Sequence, residues 1–172
     1  MLYPAVITRA DIAFAVSQLA QYSIYPMPEH QAAADHLLGY LNGTQWLGIY
    51  YNAASSNLEA FADVAFGDNH NRKSSQGYVF KLFGGPVLWK SGKQKSVTKS
   101  STEAEVLATS EAGGELINLD RLYKQLGLDL EDALTLLGDN LQAVRLFNAE
   151  TATLSTRLRH VDIHQMWVRQ EV

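Results

Sequence analysis

No cysteine occurs anywhere in the chain. That excludes a disulfide framework and any metal site built on thiolates, and it suits a reducing compartment. Proline is scarce at four residues, and two of them, Pro26 and Pro28, fall together in IYPMP, where they break whatever precedes them. No apolar run approaches the roughly 18 residues of a membrane span, and the first residues lack the pattern of a signal peptide. A soluble, intracellular protein, cytoplasmic or nuclear, is the expectation. Positive charge is nearly missing from the first 71 residues, where Arg9 stands alone.

What is present is enough for a core. The 172 residues are 47% hydrophobic and 19% charged, the length of one domain or one domain with a small appendage. The net charge of −4 argues against a general polyanion binder. Yet residues 72–99 carry Arg72, Lys73, Lys81, Lys90, Lys93, Lys95 and Lys99 with no acid among them, half of all fourteen basic residues. Such a strip fits a phosphate-bearing partner meeting one face, and equally fits edge-strand lysines that guard against aggregation.

Hydrophobic periodicity predicts an amphipathic helix over residues 10–22 and another over 29–41, closed by Asn42-Gly43. Short apolar runs at 47–52 and 58–66 read as strands, NHNRKSSQ as a polar loop, GYVFKLF as a strand, GGP as a turn and VLWKS as a further strand. From Ser101 the period becomes helical until about residue 126. A strand over 133–137 ends at Gly138-Asp139-Asn140, with a helix to about 148 and a last helix from 161. Strands in succession, then alternation of strand and helix, give an α/β class: a mixed sheet with helices packed on it.

The stretch KSSTEAEVLATSEA holds two glutamates, Glu103 and Glu105. On a helix they point about 200° apart. Ala108, Ala112, Leu116, Leu119, Tyr123 and Leu126 make an apolar stripe, and Glu105 is in phase with it while Glu103 is not. A carboxylate on a buried stripe is costly unless something positive or hydrogen-bonding meets it. Two readings of Glu105 stay open: a functional carboxylate, or the return partner of Thr102 in a capping box. Glu103 is expected to face solvent near the positive end of the helix dipole. Asp63 sits inside the strand-like FADVAF, where aspartate is disfavoured, and Asp139 at a strand end, where taken alone an ordinary helix cap is the commoner explanation. Three such acids converging would repel one another without divalent cations, and oxygen-only ligands suit Mg²⁺ or Mn²⁺.

TRADIAFAVSQLAQYS, EHQAAADHLLGYLNGTQWLGIYY, FADVAFGDNHNRKSSQGYVFKLFGGPVLWKS, KQKSVTKSSTEAEVLATSEA, GDNLQAV and RLRHVDIHQMWVRQE occur in this order over almost the whole chain. Together they resemble the end of a copia-type (Pseudoviridae-like) retrotransposon polyprotein. Residues 1–50 resemble the last part of its reverse transcriptase, without the polymerase's catalytic motif, and 51–172 its ribonuclease H domain. The resemblance implies a ribonuclease H-like fold with an N-terminal helical appendage, two Mg²⁺ (or Mn²⁺) ions, and cleavage of the RNA strand of an RNA–DNA hybrid. Asp63 matches the first-strand aspartate, Glu105 the second glutamate of S-T-E-A-E and Asp139 the aspartate of D-N-Q/S. Arg72, Lys73, Lys90, Lys93, Lys95 and Lys99 are the implied nucleic-acid contacts.

Two departures from the family pattern stand out. Ala65 occupies a position that usually carries a second acid or a serine. The family also continues into another strand and an alanine-aspartate motif with a fourth acid, whereas this sequence stops at Gln170-Glu171-Val172. Asp162 is a late candidate for that fourth ligand, although a first-turn helix acid is the commoner explanation. His160 and His164 read as surface residues. A missing strand would leave a sheet edge open to a second copy or a partner protein, partly covered by Val161, Ile163, Met166, Trp167 and Val168. The alternative to an enzyme is a host-adopted ribonuclease H fold acting as a binding or assembly module.

Overall fold

The structure, a computed structural model, describes residues 1–52, 58–128 and 134–140. The expected helix after 140, the last helix, and Asp162, His160 and His164 lie outside those residues. Helices α1 (Leu2–Ile7), α2 (Ala13–Ala20, entered by a 3-10 turn at Ala10–Ile12) and α3 (Pro28–Gly43) precede strands β1 (Glu59–Ala65), β2 (Ser75–Leu82) and β3 (Gly85–Lys93). Helix α4 (Ser101–Gln125) and strand β4 (Thr135–Leu137) follow.

The four strands form one sheet in the order β3-β2-β1-β4. The pairs β1–β2 and β2–β3 are antiparallel, and β4 runs parallel to β1. The expected mixed α/β sheet is therefore present. On β1, Ala60 and Ala62 are buried with Leu58, Phe80 and Leu82 against Ala112 and Leu116 of α4. Alanine at residues 104, 108 and 112 keeps that face of the helix thin and fully buried, which lets it lie close to the sheet.

A second apolar cluster, Ala5, Ile12, Val16 and Leu37, joins the N-terminal helices. The lone early cation, Arg9, ties them together. Its guanidinium meets Asp11 at 2.7 Å, the Thr44 hydroxyl at 2.7 Å and the Thr44 carbonyl at 3.2 Å. It thus serves a carbonyl at the end of α3. These helices also dock on the sheet: the Trp89 indole Nε1 donates to Ala5 O at 2.7 Å, Gln18 Nε2 to Ser75 Oγ at 2.9 Å and Gln21 Nε2 to Asn69 Oδ1 at 3.0 Å.

Three local expectations need correction. Helix α3 runs through Asn42-Gly43 and is capped at Thr44; Gly43 takes no left-handed conformation. Residues 47–52 form no strand. They cross the β2–β3 hairpin instead, with Asn52 N donating to Phe83 O at 2.6 Å and Tyr51 Oη to Pro86 O at 2.9 Å. The hairpin turn falls at Phe83-Gly84 rather than at GGP, because both residues have positive φ, 54° and 76°, as a two-residue turn of matching twist requires. Pro86 then sits inside β3, a sheet-edge strand among the described residues, where a missing N–H is tolerated.

Candidate metal centre and nucleic-acid interface

The topology gathers chemistry at one end of the sheet. β1 and the parallel β4 both finish there, and β2 starts where β3 ends, Ser75 opposite Lys93. Asp63 lies near the end of β1, Asp139 two residues beyond β4 and Glu105 in the second turn of α4. One carboxylate oxygen from each lies within 4.8 Å of the other two. Asp63 and Asp139 are exposed while Glu105 is 8% exposed. Asp63 Oδ1 also accepts from Val64 N at 2.8 Å. Burial first, and then the charges of Asp139 and Asp63, push the Glu105 carboxyl from 4.5 up to about 7. A site of this kind is short of positive charge. Its all-oxygen donor set fits a hard divalent cation such as Mg²⁺ or Mn²⁺.

The two glutamates divide the work otherwise than expected. Ser100 is the N-cap of α4, and its Oγ accepts from Glu103 N at 3.1 Å. Glu103 Oε2 folds back to accept from Lys99 N at 2.7 Å. The capping interaction therefore belongs to Ser100 and Glu103, not to Thr102 and Glu105. Glu103 is 5% exposed rather than solvent-facing, because its carboxylate is turned into the helix start. Glu105, relieved of capping, is free to join the two aspartates. The signal was in the sequence, since Ser100-x-x-Glu103 is also a capping-box pattern; three successive hydroxyl residues blurred the choice.

The basic strip is divided. Lys81 lies at the far end of the sheet, opposite Glu59, and pairs with it at 3.1 Å. Lys90 Nζ pairs with Glu111 at 2.5 Å. Lys93 Nζ donates to Gln21 at 2.7 Å, and Lys73 Nζ to the Lys95 carbonyl, which ties the β1–β2 loop to the segment entering α4. Arg72, Lys95 and Lys99 are exposed and form no ion pair among the described residues. They stand in the loops at the same end as the acids. Asp63 and Asp139 also line a cleft of about 670 Å³ whose walls include Phe14, Phe61, Val79 and Trp89. Phe14, from the N-terminal helices, reaches this cleft through a packing that no local sequence pattern encodes.

No family model matches the chain. It is 35% identical over 173 residues to the retrovirus-related Pol polyprotein from transposon TNT 1-94 of Nicotiana tabacum, covering 100% of this chain and 13% of that protein. It is 33% identical over 167 residues to the corresponding polyprotein of transposon RE1 of Arabidopsis thaliana, covering 96% and 11%. A secreted RxLR effector protein 161 of Plasmopara viticola is 42% identical over 119 residues, covering 68% of this chain and 84% of that protein. Among solved structures, ribonuclease H1 of Halobacterium salinarum has a TM-score of 0.44 at 18% identity, over 66% of this chain and 76% of that one.

A three-stranded antiparallel meander, a long helix across it and a fourth strand parallel to the first make this a ribonuclease H-like domain. The chain is related to a segment of the Pol polyproteins of copia-type retrotransposons, and it spans 13% or less of the full length of the plant relatives above. No helix among the described residues is long and apolar enough to cross a membrane.

Proposed function

We propose that this chain is a metal-dependent ribonuclease H that cleaves the RNA strand of RNA–DNA hybrids. The observation that carries the reading is the meeting of Asp63, Glu105 and Asp139, from three separate elements, within 4.8 Å. A scaffold gains nothing from three mutually repelling carboxylates, one of them buried. These three residues would hold the ions. Bound Mg²⁺ or Mn²⁺ supplies an activated water and stabilises the charge that develops on the leaving oxygen of a phosphodiester. The protein's part is to hold three oxygens in a fixed array, with Glu105 anchored by a helix packed on the sheet. Arg72, Lys95 and Lys99, exposed in the loops at the same end of the sheet, would take the hybrid's phosphates.

The test is cleavage of an end-labelled RNA–DNA hybrid by the full chain in Mg²⁺ or Mn²⁺, beside Asp139→Asn. Cleavage by the wild type that falls at least a hundredfold in the variant is expected. Equal cleavage by both would remove Asp139 from the site.

One observation favours a second reading, a ribonuclease H fold kept for binding. The effector of Plasmopara viticola is matched over most of its own length, so a chain with this sequence pattern also occurs under a name that denotes no nuclease. Salt-sensitive hybrid binding with no cleavage at any Mg²⁺ or Mn²⁺ concentration would select it.

A further inference from the structure

Three carboxylates so close repel one another, and the apolar packing of α4 on the sheet is not the one contact that holds the helix beside them. Gln94, just past β3, bonds to the helix backbone at that point through its amide. It is 4% exposed. Its backbone N donates to Ser74 O at 2.8 Å, which fastens it to the start of β2. Its Nε2 donates to Gln76 Oε1 at 2.9 Å and to Ala104 O at 2.9 Å. Ala104 O belongs to the peptide whose nitrogen is that of Glu105, so this bond grips the backbone at the ligand itself.

The orientation of the Gln94 amide is dictated from outside the core. Glu111 receives Lys90 Nζ on Oε1 and Gln76 Nε2 on Oε2. A carboxylate accepts only, so Gln76 must turn its Nε2 to Glu111 and its Oε1 inward. That in turn forces Gln94 to present Nε2 to both acceptors. The consequence is that Gln94 Oε1 is buried with no partner among the described residues. The cost of that orphan acceptor offsets part of what the amide's two donated bonds contribute. A methionine of the same length would fill the space while giving up both bonds and the direction they impose on the helix.

We propose that Gln94 is the positioning residue for Glu105: its amide, oriented by Gln76 and Glu111, fixes the Ala104–Glu105 peptide so that the third carboxylate stays in reach of Asp63 and Asp139. The proposal rests on the metal-site reading above. It makes a charged pair at the surface, Lys90–Glu111, part of the support of a site it does not touch.

The test is calorimetric titration of the full chain with Mn²⁺, beside Gln94→Met and Glu111→Gln, with metal-free thermal midpoints measured in parallel. Gln94→Met is expected to weaken Mn²⁺ affinity about tenfold in a variant that still melts cooperatively without metal. Its hybrid cleavage should recover at high Mn²⁺, a shift in metal requirement rather than in maximal rate. Glu111→Gln, which lets Gln76 reverse its amide, should weaken Mn²⁺ binding in the same direction but less, and decides the matter if Gln94→Met does not fold. Unchanged Mn²⁺ affinity in a folded variant, with a wild type that binds, overturns the positioning role and leaves the metal site standing. A wild type that takes up no Mn²⁺ overturns both.

Discussion

Glu105 is buried, acidic and beside two other acids, and its ionisation should therefore govern stability. Its folded carboxyl titrates at about 7 against an ordinary 4.5. Between those values the folded chain keeps a proton that the unfolded chain has lost, so stability falls as pH rises through that window and stays low above it. Solvent reaching the two exposed aspartates screens part of the effect, which leaves a loss of about 1–3 kcal/mol. Glu105→Gln should accordingly raise the metal-free thermal midpoint at pH 8 and change it little at pH 4.5. Mg²⁺ should raise the wild-type midpoint more at pH 8 than at pH 6, and the variant's at neither pH. An equal metal response in both proteins would separate Glu105 from the site. Glu103→Ala is the contrast: it loses a helix-start interaction worth about 1 kcal/mol and keeps its response to Mg²⁺. Melts in the presence and absence of Mg²⁺ distinguish the two glutamates directly.

At the scale of elements, the hairpin between β2 and β3 depends on a glycine that nothing can replace cheaply. A Cβ at Gly85 would lie 2.7 Å from the Tyr51 ring and 2.8 Å from Tyr50 O. Gly85→Ala should cost about 1–3 kcal/mol, as overpacking does. In a Tyr51→Ala background the added cost should shrink without vanishing, because the Tyr50 carbonyl remains; chemical denaturation of the four proteins gives the coupling, and strict additivity would refute the contact. This crossing also explains what the sequence concealed. Residues 47–52 have the apolar, aromatic composition of a strand, but Tyr51 and Asn52 are engaged by Pro86 and Phe83, contacts more than thirty residues away that no local pattern encodes. By contrast β1, β2, β3 and α4 were legible because alternation on the strands and the Ala108–Ala112–Leu116 stripe face a common core. The same stripe made Glu105 legible, since phase alone put it on the buried side. Phase does not describe Glu103, whose side chain folds back on the helix start to accept from Lys99 N. Helix α1 leaves no periodic signal, since six residues are too few for periodicity to register.

Across the whole molecule, charge is separated in a way the overall balance hides. Among the described residues of a chain of net charge −4, Arg72, Lys95 and Lys99 stand exposed in the loops at the acidic end of the sheet with no ion pair, while Lys81 and Lys90 are neutralised on Glu59 and Glu111. Only cations free to meet phosphates release counterions on binding, each contributing roughly 0.7–0.9 to the slope of log affinity against log salt. Replacing Arg72, Lys95 and Lys99 together by alanine should therefore make that slope shallower by about two to three and weaken hybrid binding at low salt. Lys81→Ala, at the far end, should leave both unchanged. Fluorescence-anisotropy titrations of a labelled hybrid from about 50 to 200 mM salt, in Ca²⁺ to avoid turnover, measure the slope. If instead Lys81→Ala flattened the slope and the triple variant did not, the hybrid would run along the opposite end of the sheet. The acids at the first end would then be out of its reach.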